Sequence, residues 1–301
     1  MKVLVTGATG FIGKHFLDYI TPIYGKEGIV LLSSRSVDGY PCVLHKGYAF
    51  SKNDFIESGI DSIDIVYHLG GVVPASQQDN NANNAGLLVD NVLIAKYLLD
   101  NLPSVPKKVI YTSSISVYDG GCENISESAP YTCNDVYGIS KLMSESVFER
   151  ASKEQGFVLQ ILRLGQIYGE GEEKYKKIIS SFLVDLIQGK PVKIYGDGCA
   201  LRSNLYVKDL VKYVYEASLS ETSLGPVNIC SSFPVTIRHL FEICQSSVNR
   251  GEAFYDLTKT VSNVVYDTSR MRKLFPKIKE TCLEEGVRNL YKYLVEKNVA
   301  C

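Results

Sequence analysis

The chain has 301 residues, 45 % apolar and 22 % charged, and its 32 Lys and Arg against 33 Asp and Glu leave a formal charge of −1. This ordinary globular balance lacks the basic surplus of a nucleic-acid binder, and no apolar run reaches the roughly 20 residues that span a bilayer. At roughly 150 residues per domain, the length predicts one large domain or two lobes.

In chain order, Val3-Leu4-Val5 is a short apolar strand ending in a glycine turn, and Ile12, Phe16, Leu17 and Ile20 follow at helical spacing. Strands are predicted at Ile29 to Leu32, Cys42 to Leu44, Ile65 to Leu69, Val109 to Thr112 and Phe157 to Leu162. Helices are predicted from about Asn83 to Asn101 and from Asp135 to about Gln155. Alternating strands and helices imply an α/β fold: a Rossmann-type, doubly wound parallel sheet, its apolar strands buried on both faces. Residues 1–164 are assigned to this dinucleotide-binding domain, with later segments returning to it. Residues 165–301 are assigned mainly to a smaller C-terminal substrate-binding lobe.

In that second part, the charge-rich stretch Glu170 to Lys177 reads as a solvated loop and helix start. Val192 to Tyr195, a Gly196-Asp197-Gly198 turn and Ser203 to Tyr206 read as a hairpin-like element. Helices are predicted near Val207–Ser218, Thr236–Ser247 and Leu283–Glu296. The start, MKVLVTGATG, reads as a strand and turn rather than a signal peptide, so a cytoplasmic protein with reduced thiols is expected. The eight cysteines form no CxxC and no His pair has zinc spacing, so no metal site is expected.

The sharpest motif runs from Val5 to Gly13, VTGATGFIG, between a strand and a helix. Gly7 permits the tight turn, Gly10 lets backbone approach a pyrophosphate, and Gly13 lets helix and strand pack closely. The helix N-terminus supplies N–H donors and the positive end of its dipole. An acidic residue at the end of the second strand would accept a bond from the 2′-hydroxyl of NAD; Ser33-Ser34-Arg35 stands there instead. Two hydroxyls and a guanidinium suit a 2′-phosphate, which favours NADP(H) over NAD(H).

Tyr137-Gly138-Ile139-Ser140-Lys141 places Tyr137 and Lys141 one turn apart on a helix. A lysine cation beside a phenol lowers its pKa toward the working range. Thr112-Ser113-Ser114 closes the fifth strand, where ligands bind in parallel sheets. Together these groups suit proton relay between an alcohol and a carbonyl beside a nicotinamide. His68, on a predicted core strand, reads as a buried structural histidine.

These motifs, with HLGG from His68, Asn91, TSSISVY from Thr112, LRLGQIYG from Leu162, GKPVKIYGDGCALRSNLYVKDL from Gly189 and VNI from Val227, resemble an extended short-chain dehydrogenase/reductase. The resemblance is to the NAD(P)-dependent nucleotide-sugar epimerase/dehydratase family and covers nearly the whole chain. By position it implies Ser114, Tyr137 and Lys141 as catalytic residues, with Lys141 also on the nicotinamide ribose. It implies Gly7, Gly10, Phe11, Ile12 and Gly13 on the pyrophosphate, and Leu69 and Gly70 lining the cofactor. It implies Arg202 on the phosphates of a nucleotide-linked sugar, with Ser114, Gln166 and Tyr195 near the substrate.

The chain departs from the family pattern at Tyr48, Leu164, Gln166, Ser203 and Lys208. Tyr48 stands where an acidic residue often contacts adenine. Ser113-Ser114 replace the Asp-Glu of the family's 4,6-dehydratases, so that reading ranks low. The leading expectation is an NADPH-dependent reductase of a nucleotide-linked 4-keto sugar, as in deoxysugar biosynthesis. The alternative is an NAD-dependent nucleotide-sugar 4-epimerase, and a third reading is a non-catalytic NADP(H)-binding sensor. The family often forms homodimers through a helix bundle; nothing in this sequence requires it.

Overall fold

The computed structural model describes residues 1–47, 49–74, 85–118, 124–133, 135–175 and 177–297. Its strands are β1 (Val3–Thr6), β2 (Ile29–Ser33), β3 (Cys42–Leu44), β4 (Ile65–His68), β5 (Lys108–Ser114), β6 (Val158–Leu164) and β7 (Gln166–Tyr168), then β8 (Val192–Tyr195), β9 (Leu201–Arg202), β10 (Asn204–Tyr206), β11 (Pro226–Ile229), β12 (Val235–Thr236) and β13 (Ala253–Asp256). Its helices are α1 (Phe11–Tyr24), α2 (Lys52–Glu57), α3 (Ala85–Asn101), α4 (Val136–Gln155), α5 (Ile178–Ile187), α6 (Val207–Leu219), α7 (Ile237–Val248), α8 (Ser269–Leu274) and α9 (Leu283–Glu296). Tyr48 and the start of the helix expected from Asn83 lie outside the described residues. No described helix is long and apolar enough to cross a membrane.

Two compact units divide the chain. One comprises Met1–Asp119, Ala129–Leu164 and Val211–Val227; the other comprises Gly120–Ser128, Gly165–Leu210 and Asn228–Cys301. Seven strands form a parallel sheet in the order β11-β6-β5-β4-β1-β2-β3. Every residue of β1, β2, β4 and β5 is buried, as expected of central parallel strands covered on both faces. The order reverses between β1 and β4, which opens a crevice at the carboxyl ends of these strands. On one face, Leu4, Val30, Val66, Val109 and Leu159 pack with Ala95 and Leu98 of α3 and Phe148 of α4.

The helices have local causes. α1 starts at Gly10, buries Phe11, Phe16, Leu17 and Ile20, and stops at Gly25 with φ +70°. α4 is capped by Asp135, whose carboxylate accepts from Gly138 N at 2.6 Å, and ends at the left-handed Gly156.

In the second unit, two expectations are corrected. β8 and β10 form no hairpin: β8 pairs in parallel with β13, and β10 pairs in parallel with β7. β8 buries Val192 and Ile194 and exposes Lys193 and Tyr195, an alternation compatible with either arrangement. The choice of partner 60 residues on is not local information.

The stretch from Glu170 is not a simple solvated loop either. Glu170 accepts from Tyr206 Oη at 2.8 Å and Lys208 Nζ at 2.9 Å, while Glu172 is fully buried. Neither carboxylate oxygen of Glu172 has a hydrogen bond of normal geometry among the described residues, and burial, opposed by Lys177 and Ser180, lifts its pKa to about 7. A carboxyl raised above its unfolded value costs stability as pH climbs from the unfolded pKa through the folded one. Glu172→Gln should therefore stabilise the protein at pH 8 by on the order of 2 kcal/mol and change little at pH 4. Thermal melts across that range read the difference directly.

Candidate active site

β1 delivers the chain into a turn that only small residues permit. Gly7 has φ +70°, and a Cβ there would lie 2.6 Å from Gly70 Cα. A Cβ on Gly13 would lie 2.1 Å from Gly7 O, so α1 rests directly on the turn. Gly10 N donates to Gly7 O at 2.9 Å, and Gly10 caps α1 without a side chain. The first helical turn is thus anchored by backbone alone, an arrangement suited to an anion.

Beside this turn lies a cavity of about 230 Å³ lined by Thr6, Gly7, Ser33, Ser34, His45 and Gly70, among others. The Ser33 hydroxyl accepts from Arg35 N at 3.3 Å, and Arg35 stands exposed. No carboxylate is among the described residues lining this cavity. The glycine contacts and the open crevice fit a dinucleotide: backbone comes close where a pyrophosphate needs it, without side chains in the way. Leu69 and Gly70 leave β4 on the same rim, and Gly70 N donates to Thr6 Oγ1 at 3.0 Å. His68 is buried and lies on the lining of the same cavity. Its buried ring shares a 2.8 Å bond with Thr6 Oγ1, and burial first, then the Lys141 charge, hold its pKa down to about 3.

The start of α4, which bears Tyr137 and Lys141, packs closely on the turn that follows Ser114 at the end of β5. The Ser114 hydroxyl accepts from Ser116 N at 3.1 Å and caps the short turn Ile115–Val117. That turn presses on the start of α4: a Cβ on Gly138 would lie 2.0 Å from Ser116 O. Tyr137 therefore follows the β5 end closely. Lys141 lies one turn on, its ammonium 6.0 Å from the Tyr137 ring centroid and 4.7 Å from that of Tyr111. A Cβ on Gly71 would sit 3.5 Å from this ammonium, so Lys141 also faces the segment leaving β4. Burial lowers its pKa to about 8, opposed by Glu145. Asn91 of α3 fastens the frame: Nδ2 donates to Ser140 Oγ at 3.0 Å, and Oδ1 accepts from Val72 N at 2.8 Å.

Sequence reasoning missed the ion pair behind this site. Arg163 and Ser113 are directly paired in the β5–β6 register, and both reach Glu145 of α4. Arg163 Nε and Nη2 donate to its two carboxylate oxygens at 2.9 and 2.6 Å, and Ser113 Oγ donates at 2.5 Å. Arg163 Nη1 and Nη2 also donate to the hydroxyls of Tyr118 and Tyr131 at 2.6 and 2.9 Å. Ser113 is thereby committed to Glu145. An arginine inside a mostly apolar, buried strand was the available signal, because such a charge demands a counter-ion.

In the second unit, Gln166 of β7 pairs with Asn204 of β10. Gln166 Oε1, Ser203 Oγ and Asn204 Nδ2 are buried without partners among the described residues. Arg202 Nη1 donates to Leu201 O at 2.7 Å and Ser262 O at 2.8 Å, and burial lowers its pKa. Tyr195 is 43 % exposed, with the Lys193 and Lys259 ammonium groups 4.8 and 4.6 Å from its ring centroid.

The parallel sheet with its reversal beside a glycine turn defines a Rossmann-type α/β protein. The chain belongs to the NAD dependent epimerase/dehydratase family, whose sequence profile matches residues 3–230. A putative UDP-glucose 4-epimerase from Methanocaldococcus jannaschii is 24 % identical over 315 residues, 98 % of this chain and 99 % of the relative. A dTDP-D-glucose 4,6-dehydratase from Dictyostelium discoideum is 27 % identical over 262 residues, 78 % of this chain; the match spans 59 % of that longer relative. Among solved structures, UDP-glucose 4-epimerase from Thermotoga maritima with UDP-glucose superposes with a TM-score of 0.82 at 22 % identity, covering 99 % of this chain and 100 % of that one. UDP-glucuronic acid 4-epimerase from Bacillus cereus with UDP-glucuronic acid and NAD has the same score and coverage at 19 % identity.

Proposed function

We propose that this chain is an NAD-dependent 4-epimerase of a nucleotide sugar, with a UDP-sugar the first candidate substrate. The observation that carries this reading is the packing of the start of α4, which bears Tyr137 and Lys141, on the turn that follows Ser114 at the end of β5. Relatives matched over nearly their full length carry epimerase names, and similar folds hold NAD with UDP-sugars. This places the alternative from the sequence above the reductase.

Bound NAD would supply a hydride acceptor and donor on the cradle of Gly7, Gly10, Phe11, Ile12 and Gly13, rimmed by Leu69 and Gly70. Tyr137 takes the proton from the sugar's C4 hydroxyl and later returns it, and Ser114 hydrogen-bonds the same oxygen. The Lys141 cation stabilises the Tyr137 phenolate and, with NAD bound, would hydrogen-bond the nicotinamide ribose. The resemblance assigns Gln166, Tyr195 and Arg202 to the nucleotide-linked part of the substrate. The unpartnered polar atoms of Gln166, Ser203 and Asn204 support a polar ligand at that strand pair.

One observation favours the NADPH-dependent reductase as the second reading: the dinucleotide cavity has Ser33 and Ser34 on its lining, with Arg35 next to them, and no carboxylate. Retention of both Tyr137 and Lys141 argues against a non-catalytic sensor. A homodimer is part of the proposal. Val89, Leu93 and Tyr97 on α3 are exposed, as are Ile139 and Met143 on α4, and these helices pack side by side.

The cofactor assignment is tested on purified protein. Denaturation should release NAD, identified by mass. Release of no dinucleotide, with exchangeable binding that favours NADPH over NADH, would put the reductase first.

A further inference from the structure

We propose that the buried Glu145–Arg163 pair is the positioning element of the redox site, locking the β5 end to α4 and giving Lys141 its counter-charge. The inference rests on the proposed role of Lys141 but concerns two residues that role does not use. Side-chain exposure is 0 % for Arg163 and 3 % for Glu145, so the pair is out of water on both sides. Removing two charges from water is costly, and their mutual attraction offsets this only with good geometry and further hydrogen bonds. Here both carboxylate oxygens and the guanidinium nitrogens are engaged.

The partners explain what such a pair is for. Ser113 precedes Ser114, so its 2.5 Å bond to Glu145 fixes the strand end that presents Ser114. Glu145 lies one turn beyond Lys141 and two beyond Tyr137 on α4. One carboxylate thus ties the strand bearing the serine to the helix bearing the tyrosine and lysine. Arg163 reaches past it to Tyr118 and Tyr131, its Cζ 5.1 and 4.8 Å from their ring centroids, and so anchors the segments that leave β5 and approach α4.

The groups packed on Lys141 leave Glu145 as its standing counter-charge, beside the phenolate that Tyr137 would form in turnover. Tyr111 faces it from β5, Tyr137 from its own helix and His68 from β4. Tyr111 is held well above the ordinary tyrosine range by burial, so it is neutral, and His68 is neutral as well. Asn91 and the Gly71 backbone carry no charge. Glu145 is the group that raises the Lys141 pKa against burial. Without that carboxylate, Lys141 would lose its proton at lower pH.

The test follows the Lys141 ammonium by NMR of isotope-labelled lysine in the full chain, assigned with Lys141→Arg. The wild-type midpoint should fall near pH 8. Glu145→Gln should lower it by about one pH unit, and Glu145→Asp, which keeps the charge, should restore most of the shift. A purely structural pair would lower the melting temperature and leave the midpoint in place; that result in a folded variant overturns the proposal. If Glu145→Gln does not fold, the double variant Glu145→Gln/Arg163→Gln leaves no orphaned charge, and its midpoint should move in the same direction. No turnover enters this readout. Failure of the catalytic reading would appear separately, as undiminished turnover in Lys141→Met.

Discussion

Tyr137→Phe should lower turnover of the nucleotide-sugar substrate by about 10²–10⁴-fold, the usual worth of a positioned acid–base group. The loss should fall on kcat. The ring stays, so its packing beside Lys141 and the start of α4 is retained. The dinucleotide should still bind, because the cradle of β1, the glycine turn and α1 lies on other strands and is built from backbone. Dinucleotide titration and initial rates on the same preparation separate the two effects. Near-normal turnover in the variant would remove Tyr137 from the acid–base role.

Arg163→Met should destabilise the protein by about 3–5 kcal/mol, the range for removing one partner of a buried pair. Among the described residues, the variant leaves Glu145 buried with the Ser113 hydroxyl donating to it, and it removes the Arg163 donors from the hydroxyls of Tyr118 and Tyr131. An uncompensated buried carboxylate is costlier ionised than protonated. The deficit should therefore deepen as pH rises and shrink toward pH 4. Denaturant melts at several pH values measure it. A deficit under 1 kcal/mol at pH 8 would contradict the burial and pairing described here.

Most of the first unit was legible because its signals are local. Buried strands read as apolar runs, α1 follows from Phe16, Leu17 and Ile20 after a glycine turn, and the Tyr137–Lys141 spacing is one helical turn. Strand partnership in the second unit was not legible. β8 finds β13 and β10 finds β7, pairings between segments far apart in the chain with no local mark. Charge was misread at Glu170–Lys177 and passed over at Glu145 and Arg163, for one reason. Glu170, Glu172, Glu145 and Arg163 look like solvent-facing residues one at a time, and their burial depends on partners that only the fold supplies. The Ser33-Ser34-Arg35 segment was read as a 2′-phosphate site from residue types alone. In the fold, the Ser33 hydroxyl is turned onto the Arg35 amide.

The central claim is that this site oxidises and re-reduces C4 of a nucleotide sugar without net consumption of cofactor. The most direct test incubates the purified protein with UDP-glucose and UDP-glucuronic acid, with catalytic NAD and no added reductant, and follows the sugar by NMR. The account predicts that the C4 epimer of at least one substrate accumulates to equilibrium while the NAD pool is unchanged. No epimer from either, together with stoichiometric NADPH oxidation on 4-keto nucleotide sugars, would contradict it.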